Sequence, residues 1–136
     1  MSYAASAALQ AAIFQTLASD ATVAALTGGA IYDAVPSGQI PPLYVSLGPE
    51  DVRDRSDQTG AGAVHDFTVS VVSDTAGFSA AKEVAAAISD ALVDAPPPLA
   101  RGRILSLTFS SARARRVGRG TRRRIDLRFL ARVADA

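Results

Sequence analysis

Apolar positions recur at two different periods along this 136-residue chain, and each change of period marks an element. Over residues 3–18, Leu9, Ile13, Phe14 and Leu17 return at helical spacing with alanines between them, a strong helix pattern that also permits close packing. Ser19 and Asp20 read as the cap of a short helix over 21–26, which Gly28 and Gly29 stop. Ile31 and Tyr32 form a short extended piece, and Pro36, Gly38, Pro41 and Pro42 interrupt regular structure as far as Leu43. Strict alternation then begins. Leu43, Val45 and Leu47 share one side of a first strand over 43–47, and Phe67, Val69 and Val71 share one side of a second over 64–72.

Between these strands, residues 48–62 are polar and glycine-bearing, which predicts a long mobile loop. Helical period returns over 77–94, where Ala81, Val84, Ala85, Ile88, Ala91 and Leu92 make a stripe, until Pro96-Pro97-Pro98 ends it. A third strand spans 104–110 with Leu105, Leu107 and Phe109 inward. A tip at 117–121 turns the chain into a fourth strand, with Ile125, Leu127, Phe129, Ala131 and Val133 on one side. Its other side carries Arg122, Arg124, Asp126, Arg128 and Arg132. Each strand has one apolar and one polar face. The economical arrangement is a single α+β domain over 1–136: a mostly antiparallel four-stranded sheet, order α-β-β-α-β-β, with two main helices on its apolar face.

Composition narrows the function classes. At 49% apolar residues the chain can bury a core, and no uninterrupted apolar stretch is long enough to span a bilayer. No secretory signal is expected, because the first residues lack a basic n-region. The absence of cysteine excludes disulfides and thiolate metal sites.

Catalytic candidates are few. His65 is the single histidine, and its neighbour Asp66 points to the opposite strand face, so the two cannot act as a pair. It reads as a histidine at the edge of the core. Ser79 and Lys82 have the S-x-x-K spacing of serine β-lactamases, but no K-T-G accompanies them in a chain with one lysine. Gly60–Gly62 and Gly118–Gly120 complete no phosphate-binding loop, and the acids near residue 50 lack the pattern of a calcium loop. No catalytic, cofactor or metal residue is expected.

Charge supplies the one constellation. Residues 1–100 sum to −8 and residues 101–136 to +9, and 13 of the 14 basic residues are arginine. Arg113, Arg115, Arg116, Arg119, Arg122, Arg123 and Arg124 crowd a hairpin over 113–124, where like charges facing each other across the ladder cost stability. Three things could offset that cost: nucleic-acid phosphate, acidic groups of a neighbouring copy, or solvent and counter-ions. No aromatic residue is interleaved for base stacking, and no helix bears the cluster. Glu50, Asp51, Asp54 and Asp57 form an acidic segment that a neighbour's arginines could meet head to tail, and head-to-tail contacts close into rings.

Two segments carry a family likeness. One is Ile31-Tyr32-Asp33, then Pro36, then Pro42-Leu43-Tyr44-Val45-Ser46-Leu47-Gly48. The other runs from His65-Asp66-Phe67-Thr68-Val69-Ser70-Val71-Val72-Ser73 into Gly77-Phe78 and the helix 81–92. In order and spacing the chain resembles the tail-completion, or tail-terminator, proteins of long-tailed phages and phage-like gene transfer agents. The resemblance implies a non-enzymatic structural subunit, assembled in a bacterial cytoplasm and placed at the neck of the particle. It implies a ring of copies, expected to be a hexamer, that caps the major tail tube protein and meets a head-completion or stopper protein near the portal. DNA would pass through the lumen, and no cofactor or membrane is involved. The arginine cluster matches no family-wide pattern. The alternative reading is a small nucleic-acid-binding module that uses the arginine hairpin.

Overall fold

The computed structural model describes residues 3–56, 62–74, 77–93, 96–118 and 122–135. Its elements are α1 (Ser6–Ser19), α2 (Ala21–Thr27), β1 (Ile31–Tyr32), β2 (Leu43–Asp54), β3 (Gly62–Ser73), α3 (Ser79–Val93), β4 (Arg103–Val117) and β5 (Arg122–Ala134). Asp20 caps α2 as its composition predicts, its side chain accepting from the Val23 N–H at 3.0 Å. Gly28 ends that helix in the left-handed region at φ 64°, where a side chain would be strained.

The strands form one mixed sheet in the order β1-β2-β3-β5-β4. The four strands expected from alternation pair antiparallel. The fifth is β1, which lies parallel to β2 with Ile31 opposite Val45. Two residues are too few to show a period, so the sequence count of four is corrected to five. The helices cover one face. Leu9, Ile13, Leu17, Val84, Ile88 and Leu92 pack there against Val45, Val69, Val71, Leu127 and Phe129 in one core. Phe67 stacks on Phe129 with ring centres 5.6 Å apart. On the other face, a smaller apolar cluster of Ala30, Tyr44 and Val72, joined by Tyr32 and Ile40, covers one corner.

The expected loop over 48–62 is corrected over its first part. β2 continues to Asp54 and β3 starts at Gly62, while residues 57–61 lie outside the described segments. The alternation of β2 is hidden in the sequence because the register slips between Leu47 and Glu50, so that Gly48 and Pro49 together oppose Thr68. A Cβ on Gly48 would lie 3.3 Å from the Thr68 Cβ, so glycine fits this close approach best. The bulge reverses the parity of the strand. Beyond it, Glu50 and Val52 face the helices, as shown by their partners Phe67 and His65 on β3.

β4 also differs from expectation. It is 15 residues long and bulges at Leu105 and at Ser110. The first bulge leaves Leu105 46% exposed, whereas Leu107 is buried; Phe109 touches Phe129 edge-on yet stays 47% exposed at the sheet edge. Further along, Ala112 and Ala114 pair with the core residues Leu127 and Ile125 but are themselves exposed. The helices therefore do not reach the outer part of β4, which is bare on both faces. No helix among the described residues is long and apolar enough to cross a membrane.

Candidate functional site

The hairpin of β4 and β5 brings the arginines together in two sets. Strand pairing places Arg113 opposite Asp126, Arg115 opposite Arg124, Arg116 opposite Arg123, and Val117 opposite Arg122. Arg113, Arg115, Arg122 and Arg124 therefore share the face turned away from the helices, and Arg116 and Arg123 share the other. Two arginine pairs sit directly across the ladder, the costly arrangement anticipated from the sequence.

Asp126 relieves part of that cost. Its carboxylate accepts from Arg124 Nε at 2.9 Å, from Arg115 Nη2 at 3.2 Å and from the Ser70 hydroxyl at 2.6 Å. Arg124 also donates to the Ser70 Oγ at 3.1 Å. Burial works to raise the Asp126 pKa, but the hydrogen bonds from Ser70 and Arg124, the Arg124 charge and the Arg115 bond together outweigh it and hold the carboxyl below its usual range. The result is a braced pair of guanidinium groups, with Ser70 fully buried beneath them. Arg123 lies over the Phe78 ring at 5.6 Å. Among the described residues, Arg113, Arg116 and Arg122 have no carboxylate within 4 Å. Arg119 lies outside those residues.

The acidic segment is not the uniform patch that its spelling suggests. Glu50 is engaged by groups of its own chain. The bulge turns it inward, where it accepts from the Ser6 hydroxyl at 2.6 Å and lies 3.2 Å from Nδ1 of the fully buried His65. Asp54 is occupied locally, accepting from the Ser56 N–H and hydroxyl in a tight turn. Asp51 is exposed, faces away from the helices opposite Asp66, and has no partner within 4 Å among the described residues. Asp57 lies outside them.

The sequence-level separation of charge is also smaller in space. Pairing brings Arg128 of the basic segment onto Asp66 of the acidic one across the sheet, so the contrast is partly neutralised within the chain; Arg101 meets Asp135 of its own segment at 2.9 Å. The catalytic candidates are not assembled. Lys82 Nζ lies over the Phe78 ring rather than at Ser79, and His65 touches Glu50 but no nucleophile. No group of three metal-ligating residues occurs among the described residues.

The described residues thus form one sheet with helices on one face and a basic hairpin. The model of the family "Tail completion protein gp17" matches residues 11–134. This chain belongs to the tail completion protein gp17 family. Its fold and sequence also match a chain in the solved structure titled "Virion of native gene transfer agent (GTA) particle". The two are 61% identical with a TM-score of 0.93, over 98% of this chain and 99% of that one. No curated protein sequence matches it.

For a tail completion protein, a structural role in tail assembly follows. Sequence reasoning found the arginines but missed Asp126 and Ser70, which brace two of them. The signal was present in β5, where Asp126 alternates with Arg124 and Arg128 on one strand face. It also missed the inward turn of Glu50, which rests on a bulge that only strand pairing exposes.

Proposed function

We propose that this chain is the ring-forming tail terminator of a phage-like particle. It caps the tail tube, halts its growth, and presents the joined end to a head-completion protein beside the portal, with DNA passing through the ring. The observation that carries this reading is the near-complete match to a chain of a gene transfer agent virion, at 61% identity along 98% of the sequence. The surface fits such a part. A basic hairpin projects beyond the helical layer, and three of its arginines lack a carboxylate within 4 Å among the described residues. The protein would act without enzymatic chemistry, at the neck of the particle.

Deleting the gene from a particle-producing strain tests the reading by electron microscopy of the lysate. DNA-filled heads separate from tails of uncontrolled length are expected, and joining should return when the gene is supplied in trans. Normally joined particles with tails of normal length would overturn it. The nucleic-acid alternative draws on the same three arginines. It predicts duplex binding by the isolated chain that falls steeply with salt.

A further inference from the structure

The sheet has two open edges on opposite sides. At one, no strand among the described residues lies beyond β4. At the other, β1 covers β2 only at Val45 and Ser46, so among the described residues no strand pairs outside Leu47–Asp54. Long unpaired edges invite added strands, and soluble proteins normally cover or blunt them. We propose that these edges are the two halves of one contact: the outer part of β4 in one copy adds to the β2 edge of the next. This inference rests on the ring reading and names the surface that would build the ring.

Three observations fit the pairing. The first is direction. β2, β3, β5 and β4 alternate along the sheet, so β2 and β4 of one subunit are antiparallel. A neighbour related by rotation therefore continues the sheet with antiparallel strands and the same face outward. Contacts between two different surfaces of this kind repeat from copy to copy and can close.

The second is register. Arg113 and Asp51 both lie on the face away from the helices, and neither has an ion-pair partner within 4 Å among the described residues. Setting them opposite each other places the neutral Ser111 opposite Arg53, Ala112 opposite Val52, and Ala114 opposite Glu50. Arg115 then lies diagonal to Asp51. A shift by two residues would instead set Arg113 against Arg53, like charge on like charge. Pro49, which lacks an N–H, and the bulge beside it end the ladder beyond Glu50.

The third is exposure. The stretch of β4 concerned, Ser111 to Arg115, is exposed on both faces, and Asp51 and Arg53 are exposed on β2. Among the described residues, no element covers either edge.

The chain has no cysteine, so a disulfide can report the register directly. Directly paired antiparallel residues have Cα atoms about 4.5–5.5 Å apart, within disulfide reach. Particles made with Ala112→Cys/Val52→Cys should yield, after mild oxidation, dimers and higher multimers of the chain on a non-reducing gel. Either single cysteine should remain monomeric. Tailed particles holding several copies, yet only monomer on the gel, would overturn the edge pairing and leave the ring standing. A single copy per particle would overturn the ring and the pairing with it.

If the double-cysteine chain fails to assemble, charge reversal gives a second reading. Arg113→Asp should abolish joined particles and Arg113→Asp/Asp51→Arg should restore them. Failure to restore would overturn the pairing.

Discussion

Replacing Asp126 by alanine tests whether the arginine hairpin is held by the bonds described above. The substitution removes three hydrogen bonds, two of them from guanidinium groups, and leaves Arg115 and Arg124 facing each other across the ladder without an intervening anion. The proton of the fully buried Ser70 hydroxyl also loses its acceptor. Breaking a fully buried pair costs about 3–5 kcal/mol. Here the Asp126 side chain is 20% exposed and Arg115 is 45% exposed, so solvent recovers part of that.

A loss of about 2–3 kcal/mol is expected. At roughly 3 °C per kcal/mol for a domain of this size, the melting temperature should fall by about 6–9 °C. Urea denaturation of the wild type and Asp126→Ala measures it, with Asp126→Asn to separate charge from shape. The pH dependence has a definite sign. The folded pKa of Asp126 is lowered, so its contribution is complete above the unfolded carboxylate pKa and is lost as pH falls through the folded value. The gap between wild type and Asp126→Asn should therefore narrow on acidification below about pH 4. A loss below about 0.5 kcal/mol, or a gap that does not narrow in acid, would refute the bracing role.

Other substitutions probe the parts that position this surface. Glu50→Ala strips Nδ1 of the fully buried His65 and the Ser6 hydroxyl of their partner, and should cost about 1–3 kcal/mol in urea denaturation. Phe129→Ala empties the centre of the sheet core and should cost about 3–5 kcal/mol by the same measurement. Gly102→Ala places a Cβ 2.5 Å from the Ala134 carbonyl oxygen at a φ of 75°, so a lower melting temperature than wild type is expected. Arg113→Ala removes a side chain with no carboxylate within 4 Å among the described residues, so stability should stay within about 0.5 kcal/mol of wild type while yield of joined particles falls.

Periodicity disclosed the parts of the fold that depend on local pattern. The helices at Leu9–Leu17 and Ala81–Leu92 and the inward faces of β3 and β5 follow from spacing alone. What escaped were effects of pairing. Ile31 and Tyr32 become a strand only because β2 lies beside them. Gly48 and Pro49 resemble loop residues, yet they form a bulge inside a longer strand, and that bulge decides which way Glu50 points. Leu105 alternates correctly on paper but is displaced to the surface by a second bulge. The arginine cluster was legible from composition. Its division into braced and unpaired members was not, because Ser70 and Asp126 are 56 residues apart and meet only across β3 and β5.

The central claim is that this chain works as a closed ring between tail tube and head. A reconstruction of the particle neck, with the chain located by a tag, tests it most directly. The account predicts several symmetry-related copies in one closed ring at the top of the tail tube, with the β4–β5 hairpin of each against its neighbour. A single copy, or copies placed away from the head–tail junction, would contradict it.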